Sequence, residues 1–452
     1  MATGEQLIGR PAAEAGPREI FAFWYPLALS WVMMSVAGPI VNAGISRLPD
    51  PEVQLAAFGV AQPIAILVES PIIYLLGATV SIVHDRSSFG LMRRFMLQLS
   101  LAITLLFAVV ALTPVYDILF RQLLQVPGPV ADAARPAISL LLPWPAAIAW
   151  RRFYQGVLIQ HGYTRLITLG TVYRLATLIV VVVAGLWLGS FSGAMLGGLA
   201  MVLSVIVEAA VITWWAVPVV RRHVLDRDES GDPPRKPLGR AELWRFYLPL
   251  AATDVMRVAS QPLLVAGITR AAAPALALAA WPLANGLVSL IASAAMAFQE
   301  VVIALLNKGV PYARMARFVT AVGGALSLLL VVLVATPLRD LYFLGAIGAP
   351  PDVEPLAVQA AAIMALLPLV FALRNLYRAG LIVHRRTGVV QGAMLANLIT
   401  LVATLVVGIA LFEADGTLLA AVAMLLAHLV EAGILRVRFH RALAADAGSA
   451  NR

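Results

Sequence analysis

Few side chains in the long apolar runs of this 452-residue chain can hold a charge, and those few set the chemistry open to it. Asp254 and Arg257 stand three residues apart, a spacing that puts both on one helix face, as a solute-binding pair or an internal ion pair. Glu69 and Glu300 are isolated carboxylates. A carboxyl group in a low-dielectric cavity favours its protonated form, which is what a proton-coupling site requires, although a residue reaching toward water or a neighbouring hydroxyl reads the same way. Asn42 offers hydrogen bonds to a polar solute or to an adjoining helix. Arg174 lies ten residues into one run and Glu208 ten residues from the cytoplasmic end of the next, so antiparallel neighbours bring them to one depth as a structural ion pair. Asn397 and Glu431 make the equivalent polar contact later in the chain. Charge at the centre of a bilayer is costly, so such residues either neutralise one another or serve a solute.

Bond-making chemistry has no residues to run on. There are no cysteines, no G-x-x-x-x-G-K-[ST] phosphate loop and no cluster with metal-ligand spacing. We therefore expect no catalytic residue, no metal and no cofactor, and read the chain as not an enzyme. His161 and His384 fall at matched cytoplasmic helix ends, where capping or headgroup contact explains them better than a metal pair.

The elements that position these residues are membrane spans. The chain is 61% hydrophobic and 13% charged, a balance no water-soluble surface of this size tolerates. Apolar runs fall near 19–46, 52–83, 90–112, 129–160, 164–189, 193–218, 242–269, 274–306, 313–335, 352–383, 387–411 and 416–437. Each reaches the roughly 20 residues a helix needs to cross the hydrocarbon, and a barrel is excluded because its strands alternate with period two. Prolines 26, 39, 63, 71, 249, 262 and 282 fall inside runs one, two, seven and eight and predict kinks there. Basic residues fix the orientation: placing both termini in the cytoplasm puts 26 Arg and Lys on that side and five outside. The N-terminus lacks a cleaved signal pattern. The expected domains are a cytoplasmic segment 1–18, a first lobe 19–218, a cytoplasmic linker 219–241, a second lobe 242–437 and a tail 438–452, in a cell membrane. The net charge of +9 then reads as topology and attraction to anionic membrane lipid, not as nucleic-acid binding.

The two lobes are copies. Pro39-Ile40-Val41-Asn42-Ala43-Gly44-Ile45-Ser46-Arg47 is matched 223 positions later by Pro262-Leu263-Leu264-Val265-Ala266-Gly267-Ile268-Thr269-Arg270. The same offset carries Pro26 to Pro249, Asp117 to Asp340, Pro145 to Pro368, Arg151 to Arg374, His161 to His384, and Glu208 to Glu431. Six helices were duplicated, and because six is even both copies enter the membrane with the same polarity.

A 6+6 duplication with proline-bearing first helices resembles the multidrug/oligosaccharidyl-lipid/polysaccharide (MOP) exporter superfamily, which includes MATE exporters and lipid-linked sugar flippases. Trp24-Tyr25-Pro26-Leu27-Ala28-Leu29, Pro39-Ile40-Val41-Asn42, Ser46-Arg47, Ala149-Trp150, Gly156-Val157-Leu158-Ile159-x-His161 and Glu300 are similar to the progressive ankylosis (ANKH) family within it. The resemblance implies an all-α protein of twelve transmembrane helices in two parallel-oriented, V-shaped lobes that alternate between inward- and outward-open states. It further implies a monomeric, secondary-active or facilitative exporter of small organic anions such as citrate, nucleotides or pyrophosphate, with H+ or Na+ as coupling ion if coupled. The alternatives are cation-coupled multidrug efflux, for which Glu69, Asp254 and Glu300 supply carboxylates, and then a lipid-linked sugar flippase. A major-facilitator reading rests only on Asp85-Arg86 and Arg93-Arg94, without the glycine that motif expects.

Overall fold

The computed structural model describes residues 16–83, 85–161, 163–225, 239–307, 309–383, 386–411 and 415–450. Among these the backbone is helical almost throughout, with one isolated bridge between Ala272 and Asp415. Ten helices are long and apolar enough to cross a membrane: α1 (Pro17–Ile45), α2 (Pro51–Val80), α3 (Arg86–Leu112), α5 (Arg165–Leu188), α6 (Gly193–Val224), α8 (Pro274–Leu306), α9 (Tyr312–Ala335), α10 (Glu354–Val383), α11 (Gly388–Leu411) and α12 (Gly416–Arg441). The remaining expected spans, α4 (128–160) and α7 (240–268), are also helical. In α4, Arg151, Arg152 and a break at 141–143 interrupt the apolar run. Outer faces carry large apolar groups, with Leu101 61%, Val180 65% and Trp187 87% exposed, as befits helices solvated by lipid. The N-terminal residues to 15 and most of the expected linker, 226–238, lie outside the described residues. Asp85, the acidic member of the major-facilitator-like pattern, is a helix cap: its carboxylate accepts from the Ser88 backbone N–H at 2.7 Å, starting α3.

The duplication is written into the backbone. Interruptions at Val36 in α1, Tyr74 in α2 and 141–143 in α4 recur 223 residues on, at Ala259, Ala297 and 364–366. Two of the three pairs have a proline cause. Pro39 and Pro262 each follow their break by three residues, and Pro145 and Pro368 remove the N–H that residues 141 and 364 would accept from. Pro26 and Pro63 lie in unbroken helix, while the break in α4 and α10 was not among the expected kinks. Gly185 of α5 accommodates Leu196 of α6, since an added Cβ would meet its Cδ1 at 2.2 Å; Gly408 and Leu419 repeat this at 2.1 Å between α11 and α12.

The packing units differ from the contiguous lobes 19–218 and 242–437. One unit joins the residues up to Pro39 with Arg270 onward; the other is Ile40–Thr269. The first helix up to its break and α7 therefore pack with the other copy's remaining helices, while the end of α1 stays with its own copy, where Gly44 faces Val182 and Ile45 meets Gly193 and Gly197. Two matched hydrogen bonds show the reason for the exchange. In one unit Trp24 Nε1 donates to the Ala294 carbonyl at 3.2 Å, and the indole stacks on Phe298 at 5.5 Å. In the other, Tyr247 Oη donates to the Pro71 carbonyl at 2.5 Å, with the ring edge-on to Phe95. Residues 24 and 247, and 71 and 294, are equivalents at the 223-residue offset. Each first helix satisfies a carbonyl near the break in the other copy's second helix, which no water inside a bilayer would otherwise satisfy.

Close approach makes Gly156 of α4 sensitive. A Cβ there would meet Thr79 Cβ at 2.6 Å and the Leu76 carbonyl oxygen at 3.0 Å. Gly156→Ala is expected to lower stability by about 1–3 kcal/mol. Gly324→Ala, where an added Cβ meets nothing within 4 Å, is expected to leave it unchanged or raise it by about 0.5–1 kcal/mol. Thermal unfolding of both variants in detergent checks the pair.

Candidate functional site

In the unit containing Ile40–Thr269, one stripe of α4 gathers the polar residues. Trp144, Arg151 and Gln155 are spaced seven and four apart, so they line one helical face. Trp144 donates its indole N–H to Glu69 of α2. Arg151 donates to Glu208 of α6, and Gln155 Nε2 reaches the other oxygen of that carboxylate at 3.2 Å. Glu69, Arg151, Gln155 and Glu208 are all buried, Glu208 to 1% exposure. Both carboxylates are thus held by donors of α4, as buried charge requires.

This geometry corrects one expectation. Glu208 pairs with Arg151, not with Arg174. A Cβ on Gly170 would lie 3.6 Å from Glu208 Cγ, so the glutamate faces α5 one turn before Arg174. The same observation leaves cations in surplus. Arg151, Arg152 and Arg174 all lie in electrostatic range of Glu69, and Arg152 and Arg174 of Glu208 as well. Among the described residues, no hydrogen bond or ion pair joins Arg152 or Arg174 to a partner, and the Nε atoms of Arg151 and Arg152 are buried without an acceptor. Three guanidinium groups against two carboxylates make a cluster that attracts an anion.

The second copy makes the same kind of pair in other surroundings. Arg374 donates to Glu431 at 3.4 Å and Asn397 donates to it at 3.1 Å, so the expected Asn397–Glu431 contact is present and the ion pair is again made from the fourth helix to the sixth. His428 joins them, its Nδ1 3.1 Å from Arg374 Nη1 and 3.0 Å from Asn397 Nδ2. The same nitrogen lies 3.5 Å from Glu431 Oε2, so the ring faces two donors and an acceptor. At the positions of Arg152, Arg174 and Glu69 this copy has Asn375, Asn397 and Ala292. Asn375 Nδ2 donates to the Ala295 carbonyl at 3.0 Å. In this copy Arg378, at the position of Gln155, also lies in electrostatic range of Glu431, so a cation in excess is common to both copies, while arginines at the positions of 152 and 174 are peculiar to the first.

The other predicted residues are dispersed. Asn42 is buried and partnered. Glu300 is exposed and accepts a hydrogen bond from Trp31, the counterpart of Asp254. Asp254 and Arg257 lie on the backbone of α7, but their side chains are outside the described residues, as is His384. His161 approaches the Val157 carbonyl at 2.9 Å through Nδ1 and stacks on His223 at 5.1 Å, in keeping with a helix-end role. Sequence reasoning missed Arg151, Arg152, Gln155 and Trp144 as members of the cluster. The signal for Arg151 was present: Arg151 with Glu208, and Arg374 with Glu431, keep opposite charges in both copies, whereas Arg174 becomes Asn397.

Helix content, spans and duplicated breaks define a polytopic all-helical membrane protein, whose fold is similar to that of solved MOP-superfamily transporters. Among solved structures, the chain is similar to an inward-facing multidrug resistance MATE family transporter of that superfamily, with a TM-score of 0.63 and 16% identity over 93% of this chain and 95% of that one. An outward-facing MATE transporter matches with a TM-score of 0.61 and 14% identity over 98% and 99% of the two chains. A MOP-superfamily transporter from Pyrococcus furiosus, whose binding pocket of reverse polarity suggests a different function, matches with a TM-score of 0.57 and 14% identity over 98% and 99%. No family model and no curated protein matches the sequence. The narrower likeness to ankylosis proteins stays a resemblance of residues.

Removing one member of the buried pair strands the other. Arg151→Met is expected to destabilise the protein by about 3–5 kcal/mol, and the double variant Arg151→Met/Glu208→Leu to recover most of that loss. Melting temperatures in detergent give the comparison.

Proposed function

We propose that this protein carries small organic anions across a cell membrane as a secondary-active or facilitative exporter, alternating access between its two six-helix copies. The observation that carries this reading is the cluster of arginines in the first copy: among the described residues Arg152 and Arg174 make no hydrogen bond or ion pair, and with Arg151 they outnumber Glu69 and Glu208 by one. A di- or tricarboxylate, a nucleotide or pyrophosphate supplies the missing negative charge, and guanidinium groups bind such oxyanions in pairs. Arg257, on α7 of the same packing unit, is a further candidate, with Asp254 three residues before it. The fold supports a transporter, since similar structures have been solved facing inward and facing outward. In this reading the termini are cytoplasmic, the working unit is a monomer, and no cofactor takes part.

A second reading, H+- or Na+-coupled efflux of cationic drugs, is favoured by the likeness to multidrug resistance transporters and by the carboxylates of Glu69 and Glu300. Counterflow in proteoliposomes separates the two. Citrate, a nucleotide or pyrophosphate is expected to exchange and a quaternary amine is not; amine exchange without anion exchange would overturn the proposal. Arg152→Gln and Arg174→Asn, the second being the residue found in the other copy, are expected to slow anion exchange about tenfold or more while the protein stays folded.

A further inference from the structure

Between α11 and α12 lies a groove of about 690 Å3 lined by Gly388, Val389, Gly392, Gly433, Val437 and Arg438. Gly388, Gly392, Gly433, Val437 and Arg438 are exposed, so the groove opens to the surroundings of the helices. Nothing in the packing demands its glycines. A Cβ added at Gly388, Gly392 or Gly433 meets no atom within 4 Å, whereas at Gly408 on the same helix it would strike Leu419 at 2.1 Å.

The duplication supplies an internal control. In the first copy the equivalents of Gly388, Gly392, Gly433, Val437 and Arg438 are Arg165, Leu169, Ala210, Trp214 and Trp215, so each of the three glycines is there replaced by a residue with a side chain. The second copy leaves these positions bare and carries Arg438 near the basic end of α12.

We propose that this groove holds one anionic phospholipid, its acyl chain along the three glycines and its phosphate against Arg438. Charge selects the occupant. Helix spacing of the form Gly-x-x-x-Gly at 388–392 also suits a second copy of the chain. A symmetric pair on this face, however, would bring two copies of Arg438 together, whereas an anionic headgroup neutralises the one. A zwitterionic lipid fills the groove without that gain.

Native mass spectrometry of the protein released from nanodiscs of equal phosphatidylglycerol and phosphatidylcholine tests the proposal. The wild-type chain is expected to retain one phosphatidylglycerol, favoured about fivefold over phosphatidylcholine, the ratio for about 1 kcal/mol per surface arginine. Arg438→Ala is expected to erase that preference. Gly392→Leu, which places in the groove the side chain found at the equivalent position 169, is expected to lose the retained lipid. Equal retention of the two lipids by wild type, unchanged retention in Gly392→Leu, or a dimer that this substitution splits would each overturn it. Should Gly392→Leu fold poorly, the comparison of wild type with Arg438→Ala decides alone. The outcome is independent of anion transport.

Discussion

A charge buried among membrane helices must be answered by another, and the matched pairs Arg151–Glu208 and Arg374–Glu431 are where this protein meets that demand. Each joins the fourth helix of a copy to the sixth. With the pairs in place, neighbouring positions are free to vary between copies, and they have done so. The first copy has arginines at 152 and 174 where the second has Asn375 and Asn397, and the second has Arg378 and His428 where the first has Gln155 and Val205. The two copies thus share one buried ion pair and differ in the polar groups placed around it.

The exchange of first helices gives the second constraint. Trp24 and Tyr247 are different residues at equivalent positions, yet each donates to the same carbonyl of the opposite copy's second helix. Interrupting a helix in lipid exposes carbonyls, and the breaks in the second helices place those carbonyls within reach of an aromatic donor. The duplication has preserved the bond while changing the ring that makes it.

Much of this was legible in the residues alone. Apolar run length gave the spans, and the 223-residue offset gave two like copies, because prolines and charges in register record ancestry independently of any contact. The Asn397–Glu431 contact followed from depth reckoning along antiparallel helices. The same reckoning misassigned Glu208: Gly170, which lies against its Cγ, is on the same face of α5 as Arg174 but one helical turn away, about 6 Å, a difference in depth that counting from helix ends does not resolve. The exchange of α1 and α7 was invisible because the offset pairs positions by descent, not by neighbourhood. The broken fourth helices were equally hidden: Pro145 and Pro368 were seen as matched markers of the repeat and not as missing hydrogen-bond donors. Glycine, finally, has one letter for two situations, the notch at Gly408 and the empty groove at Gly392, and only the surrounding atoms tell them apart.

The exchanged first helix has a consequence for biosynthesis. Trp24 leaves the ribosome some 270 residues ahead of Ala294, a lag on the order of tens of seconds at ordinary rates of translation. Throughout that interval the part of α1 before its break resides in the bilayer without its permanent neighbours, whereas α7 finds α2 already inserted when it arrives. Two helices of common descent therefore assemble by opposite routes, one waiting for its site and the other entering a finished one.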